Sequence, residues 1–447
     1  MNPRIAFVVY KTVQRLRGER VFEALERLER SQWESADTIR QLQWQRLRQL
    51  VRHAYEHVPY YRSIYDEAGF RPEMLRESRD LELIPIISKE VMRENSHNFI
   101  SRDKKYKFSE DSTSGSSGPT TIIYTDRKAL AYQHAAVLRA YRWMGLGIGE
   151  RLVRFWGTQL DTKRKAKDTI KDLLLNRKTF STHALDPGSL AKYHNELVRT
   201  HPAAIYGFTS AIYEFARFIA DNDLAMDTVT LKAILVTGEP LFGHQRELME
   251  AVFRCRVYNE YGCAEVGPVA YECPEGQLHI MAENVHVEIE RGREGAVGER
   301  GNLVMTELNN LGMPIIRYRM GDVGVLAEEA CSCARGLPVL KEISGRLLDS
   351  IRTPDGRNVH GMYFEYLPKY FIGEIRQFQI VQEDLERIKV RVVRDPQFSE
   401  YTLRRFESEI RKVIGQRVAV DFVVESEIPR EATGKNRLVV SRLGSER

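Results

Sequence analysis

Ser112-Thr113-Ser114-Gly115-Ser116-Ser117-Gly118-Pro119-Thr120 is the stretch on which the reading of this 447-residue chain turns. Hydroxyl-bearing residues and glycines follow one another with nothing bulky between them. Such a run gathers N–H and O–H donors in one flexible turn that a phosphate chain can approach closely. No lysine follows the second glycine, so it is not a Walker A loop. The order G-x-S-x-G is also absent, which excludes a nucleophile elbow. By itself the composition fits a flexible linker equally well, so its company must decide.

Further motifs follow in order: Tyr258-Asn259-Glu260-Tyr261-Gly262-Cys263-Ala264-Glu265, Tyr318-Arg319-Met320-Gly321-Asp322, Gly345-Arg346-Leu347-Leu348-Asp349 and Pro429-Arg430-Glu431-Ala432-Thr433-Gly434-Lys435. In this order and spacing the set resembles the adenylate-forming enzymes, the superfamily of acyl-CoA synthetases, luciferases and peptide-synthetase adenylation domains. Within it the chain looks most like the phenylacetate–CoA ligase group and its CapK-like branch, often associated with capsular polysaccharide genes. His57-Val58-Pro59-Tyr60-Tyr61-Arg62 and Thr237-Gly238-Glu239-Pro240 support that placement.

The resemblance implies a role for each motif. Ser112, Thr113, Ser114, Gly115, Ser116, Ser117, Gly118 and Thr120 would hold the ATP phosphates. Gly238, Glu239, Tyr261 and Gly262 would belong to the nucleotide site, with Tyr261 flanking adenine. Asp322 would accept hydrogen bonds from both ribose hydroxyls, a task for an ionised carboxylate. Arg346 would lie near the ribose or phosphate. Glu265 would help bind Mg²⁺, which prefers hard oxygen ligands. Lys435 would neutralise the α-phosphate during attack. The implied activity is formation of an acyl-adenylate from a carboxylic acid and ATP, followed by transfer to coenzyme A. Transfer to an amine or hydroxyl in a polysaccharide-linked setting is an alternative, with partners from polysaccharide biosynthesis. So is a nucleotide-binding scaffold without catalysis, although Glu265, Asp322 and Lys435 argue against it. The family often has Asp or Lys two residues after the hinge arginine. Here Leu348 stands there and Asp349 follows, so the pivot is left open.

The pattern around these motifs reads as α/β. Residues before about 100 have helical spacing, as in Trp44, Leu47, Leu50, Val51, Ala54 and Val58, with Pro59 ending that helix. Ile5–Leu28 has the spacing of an amphipathic core helix. From about residue 120, helices alternate with short apolar runs such as Ala203–Tyr206, Ala233–Thr237 and Val257–Tyr261, which suit strands buried on both faces. Val285, Val287 and Ile289 alternate with polar residues, and Gly301–Leu308 is similar. After Gly345, strand-like Ile375–Val381, Ile388–Val393 and Val418–Val424 surround helical Phe398–Ile414. We therefore expect a large N-terminal domain, residues 1–345, with sheets and packed helices. A small mobile α+β domain, residues 346–447, closes the chain.

Two Cys/His groupings invite a metal. Cys273 and His279 lie six apart, and Cys331 and Cys333 flank Ser332. Three thiolates and an imidazole would complete a closed tetrahedral structural zinc site; similar sets occur as structural zinc sites in the CapK-like branch. His53 and His57 with Glu56 match H-x-x-E-H, a form that can carry zinc on one helix face. Both histidines lie off the apolar stripe, and solvated helix residues are the plainer reading. Cys263 needs no catalytic role, because adenylation uses no protein nucleophile.

Composition sets the outer bounds. Apolar residues make up 43% and charged residues 29%, which excludes a disordered or fibrous chain. Lys+Arg exceed Asp+Glu by only 67 to 62, a balance that does not argue for nucleic acid. The basic stretch Lys163–Lys178 reads as a solvated helix face or loop. No run is long enough for a membrane span, and no signal-peptide core follows the start. A cytoplasmic setting, with reduced cysteines, is the expectation.

Overall fold

The computed structural model describes residues 1–112, 122–157, 169–290, 300–346, 350–355, 358–360, 364, 367–371, 373–430 and 437–443. Its centre is a seven-stranded sheet in the order Arg177–Ser181, Leu152–Trp156, Ala204–Phe208, Ala233–Thr237, Arg256–Cys263, Gly267–Glu272, Leu278–Ile280. The first five run parallel and the last two antiparallel. Ala233–Thr237 is buried at every position, as a central parallel strand with helices on both faces must be. On one face lie helices Pro187–Thr200, Thr209–Asp221 and Gly243–Phe253, sharing a core with Val153, Ile205, Ile234 and Val257. On the other, Val21–Ser31 and Arg127–Trp143 pack against Ala204, Leu235 and Tyr258.

A second, antiparallel sheet follows in chain order: Val285–Glu290, Gly301–Glu307, Tyr318–Leu326 and Leu340–Arg346. Helix Ala36–His57 packs its apolar stripe, Leu47, Leu50, Val51 and Ala54, into the core beneath it. The junction between the sheets is tied by a buried ion pair. Arg139 of Arg127–Trp143 meets Glu283 through two hydrogen bonds of 2.7 and 2.9 Å, and also donates to Leu28 O. Removing either partner would strand a buried charge, at a cost of about 3–5 kcal/mol.

Residues after Gly345 supply a third sheet, ordered Ala419–Glu425, Arg387–Arg394, Ile375–Gln382, Val439–Ser441, with helix Glu400–Ile414 against it. Ile380, Val390, Phe406 and Ile410 form a core of their own, drawing on no residue before Ile351.

The expected strands and helix fall within a few residues of their observed ends. Ile5–Leu28 differs: it is two helices, Pro3–Leu16 and Val21–Ser31, separated at Gly18, whose φ of +71° favours glycine. The second supplies most of the core contacts; the first buries Ala6 and Gln14 but leaves Ile5, Val8 and Leu16 exposed. Of the basic stretch, residues 163–168 lie outside the described residues. Within the remainder Asp172 pairs with Arg177 at 2.7 Å, so part of it is internally neutralised. Among the described residues no helix is long and apolar enough to cross a membrane.

Candidate active site

The site residues gather where the parallel strands end, the edge at which open α/β sheets bind ligands. Strand Arg256–Cys263 carries Tyr261 and Gly262 to this edge, then turns back through Glu265 into Gly267–Glu272. The turn needs Gly267: its φ is +78°, and a Cβ there would meet the Gln133 side chain at 2.7 Å.

Two tyrosine–carboxylate hydrogen bonds join this turn to the second sheet. Tyr261 OH donates to Asp322 Oδ2 at 2.7 Å, and Tyr318 OH donates to Glu265 Oε1 at 3.2 Å. Asp322 and Tyr318 share strand Tyr318–Leu326. Asp322 is also paired in register with Arg346 on the neighbouring antiparallel strand. Motifs separated by up to 85 positions thus meet at one place: Tyr261, Glu265, Asp322 and the backbone of Arg346. The Cys263 thiol between them is pushed well above its ordinary range by burial and by the charges of Glu265 and Asp322. It stays protonated, unsuited to act as a nucleophile.

The motif beginning at Ser112 starts in a hairpin. Ser112 ends strand Phe108–Ser112 and pairs with Ile122 of Ile122–Asp126. Asp126 then caps the next helix, accepting Ala129 N at 2.9 Å, while its other oxygen accepts Leu311 N at 2.8 Å. That double use fixes the hairpin to the second sheet. Thr113, Ser114, Gly115, Ser116, Ser117, Gly118 and Thr120 lie outside the described residues, as do Leu348, Asp349 and Lys435.

Gly238, at φ +75°, turns the chain out of Ala233–Thr237. Glu239 Oε2 accepts Ser210 N at 2.7 Å, and Glu239 O accepts Thr209 Oγ1 at 3.1 Å, so Glu239 anchors the start of helix Thr209–Asp221. Ser210 Oγ in turn accepts from Arg430 Nη1 at 2.7 Å, which brings Arg430 of the last motif to this edge.

Trp156 stacks on Phe208 at 4.4 Å and on Tyr206 at 5.7 Å, an aromatic wall at the ends of adjacent parallel strands. Glu260 lies beside it, in register with Thr237 and Tyr271. Burial pushes its carboxyl up to about 7, partly opposed by the hydroxyls of Tyr271 and Tyr206. Tyr271 OH influences this carboxyl, yet among the described residues it has no partner in hydrogen-bond geometry. Tyr318 and Glu260 stood inside the quoted motifs, but their roles depend on cross-strand neighbours that only the folded register supplies.

Away from this edge, the cysteine-containing group is assembled. The ligand atoms of Cys273, His279, Cys331 and Cys333 lie within 4.8 Å of one another. Cys273 Sγ is 3.8 Å from Cys331 Sγ, and Cys333 Sγ is 3.2 Å from His279 Nε2. Thiolates at tetrahedral zinc, with bonds of about 2.3 Å, stand about 3.8 Å apart. His279 Nδ1 donates to Leu337 O at 3.0 Å, leaving the Nε2 lone pair toward the thiols.

Residues 351–442 match the family model of the CapK C-terminal domain. Protein CapK of Staphylococcus aureus is 23% identical over 414 residues, covering 90% of this chain and 89% of that protein. A phenylacetate-coenzyme A ligase of Thermus thermophilus is 26% identical over 404 residues, covering 88% and 86%. A crystal structure of 2-hydroxyisobutyryl-CoA ligase in the postadenylation state, complexed with an acyl-AMP, superimposes with a TM-score of 0.73. It is 23% identical, with 90% of this chain and 89% of that one covered. This chain has the fold of the adenylate-forming CoA ligases. CapK and the phenylacetate-coenzyme A ligases are its homologues, and the CapK-type domain coincides with the third sheet and its separate core.

Proposed function

We propose that this chain activates a carboxylic acid with ATP, forming an acyl-adenylate and pyrophosphate, and then transfers the acyl group to coenzyme A. The observation that carries the reading is the meeting of Tyr261, Asp322 and Arg346 at the carboxyl edge of the parallel sheet. An ionised carboxylate held there by a tyrosine hydroxyl can accept both hydroxyls of a ribose. Tyr261 would then flank the base, and Arg346 would meet phosphate or ribose.

In the first half-reaction a carboxylate oxygen of the acid attacks the α-phosphorus and pyrophosphate leaves. The donors of residues 112–120 hold the departing phosphates, and Lys435 offsets charge at the reacting phosphate. Glu265, one oxygen of which is oriented by Tyr318, suits a hard cation. Mg²⁺ bound there would neutralise phosphate charge. In the second half-reaction the coenzyme A thiolate attacks the acyl carbonyl and AMP departs.

We assign residues 346–447 to a small domain that closes over the edge for adenylation and moves for transfer. Its separate core and the Arg430–Ser210 contact support this division. The Cys273, His279, Cys331 and Cys333 cluster fits a structural Zn²⁺, and the setting we propose is the cytoplasm, where ATP and coenzyme A are supplied. Trp156, Tyr206 and Phe208 would line the acyl pocket. Pyrophosphate release over a panel of carboxylic acids, with and without coenzyme A, tests the reading. Release that depends on an acid, with thioester formed only when coenzyme A is present, is expected. Absence of release across the panel would remove it.

A further inference from the structure

The H-x-x-E-H match at the end of helix Ala36–His57 is not used by the proposed reaction, yet the fold completes it in an unexpected way. Glu56 is not the third partner; its carboxylate is exposed and lies 3.7 Å from His57 Nε2. Asp103 takes that place, from the segment between the helices and strand Phe108–Ser112. Ligand atoms of His53, His57 and Asp103 lie within 4.8 Å of one another.

We propose that His53, His57 and Asp103 form a second metal site, binding a first-row divalent ion such as Zn²⁺ with an outer position left to water. Two histidines four apart on one helix face a common point, and a carboxylate completes a three-ligand set. Imidazole and carboxylate together suit zinc and its neighbours rather than Mg²⁺. The outer shell is already in place. His53 Nε2 donates to Leu311 O at 2.8 Å, fixing the tautomer with the lone pair on Nδ1. Tyr106 packs edge-on against His53 at 5.5 Å.

A cation already answers Asp103: Lys105 Nζ lies 2.5 Å from Asp103 Oδ2. Lys105 is largely exposed and its stem can swing away, so a divalent ion can displace its ammonium. The site joins the helix to the segment that enters the phosphate-loop hairpin, and Leu311, which holds His53, also holds Asp126 through its N–H. A bound ion would therefore brace the base of that hairpin.

Equilibrium dialysis of the full chain against Zn²⁺ tests the site in wild type, His57→Ala and Lys105→Met. Taking the difference cancels the cysteine cluster, which all three proteins share. At matched free Zn²⁺, His57→Ala should hold one ion fewer per chain. Its affinity loss should exceed the roughly 10–100-fold that follows removal of an outer-shell partner alone. Lys105→Met should keep the ion and bind it at least as tightly, because the competing ammonium is gone. Equal metal content in wild type and His57→Ala overturns the proposal, as does loss of the ion from Lys105→Met. If His57→Ala fails to fold, Asp103→Asn is read in the same way. Co²⁺ gives an independent reading: the ion lost from the variant should carry no thiolate charge-transfer absorption, and its presence would overturn the assignment.

Discussion

Arg217 Nη2 lies 2.9 Å from Asp395 Oδ2, and this mostly buried ion pair fastens helix Thr209–Asp221 to the C-terminal region. The same helix offers Glu214 to Arg376 at 3.5 Å and Ser210 Oγ to Arg430 at 2.7 Å. One helix face thus gathers contacts to Arg376, Asp395 and Arg430 of the C-terminal region. If they belong only to the closed arrangement, weakening them should slow adenylation alone. Asp395→Ala is expected to reduce acid-dependent pyrophosphate release roughly fivefold, about 1 kcal/mol for an ion pair near a surface. Thioester formation from supplied acyl-adenylate should be unchanged; equal slowing of both steps would reject a closure role.

On the proposed reading, nucleotide binding depends on one carboxylate, that of Asp322. Asp322→Ala would remove the proposed acceptor for two ribose hydroxyls, along with the carboxylate that Tyr261 OH meets at 2.7 Å. ATP affinity should fall by roughly 1.5–3 kcal/mol, the range for hydrogen bonds to a charged group. Tyr261→Phe, which keeps the ring, should cost less. Calorimetric ATP affinity within twofold of wild type for Asp322→Ala would assign it to the turn alone.

Glu260 predicts a pH dependence of stability. Its folded pKa, about 7, lies above the ordinary carboxylate value. Between roughly pH 4.5 and 7 the unfolded chain has released this proton while the folded chain retains it. The group therefore lowers stability progressively as pH rises through that window, and the loss is complete above about 7. Glu260→Gln should remove this term and gain roughly 1–3 kcal/mol at pH 8 relative to pH 4.5. Urea denaturation at both pH values measures it; the same difference in wild type and variant would contradict the assignment.

Much of this fold could be read from local sequence, for a physical reason. Ala233–Thr237 is apolar throughout because both faces are covered, and Val285, Val287 and Ile289 alternate because one face of their sheet is wetter. Such patterns are written in adjacent residues. Contacts made across strands are not: the Tyr318–Glu265 bond spans 53 positions, and Asp103 reaches His53 from outside its helix. The split at Gly18 escaped the helical period because Ile5–Leu28 keeps its apolar spacing across the turn. The cysteine cluster was legible as two pairs, but only the hairpin at Gly276 and the bridge between His279 and Val339 place them together.

On the proposed mechanism, Lys435 should separate the half-reactions. It belongs to the same motif as Arg430, which it follows by five positions. Lys435→Ala should slow adenylate formation by on the order of 10²–10³-fold, roughly 3–4 kcal/mol of transition-state stabilisation. Transfer from supplied acyl-adenylate to coenzyme A should stay within about tenfold of wild type. Single-turnover assays of each step decide it, and no change in either would place the charge compensation elsewhere.

The cysteine cluster makes the last prediction. Cys273 directly follows one strand of the central sheet, His279 sits on the next, and Cys331 and Cys333 come from the connection between two strands of the second sheet. A Zn²⁺ bound there would crosslink the two sheets directly. Burial pushes the Cys273 thiol up to about 12 when no metal is present, so metal binding must release protons and should weaken at low pH. Purified chain should contain one zinc in this cluster. Cys331→Ser should lower metal content and melting temperature together, since removing a ligand removes part of the free energy that holds the sheets. A serine variant that loses the metal yet melts at the wild-type temperature would show that the ion is bound without bracing the fold. Chelation gives the complementary reading: stripping zinc from wild type should reproduce the variant's melting temperature, and adding it back should restore only the wild type.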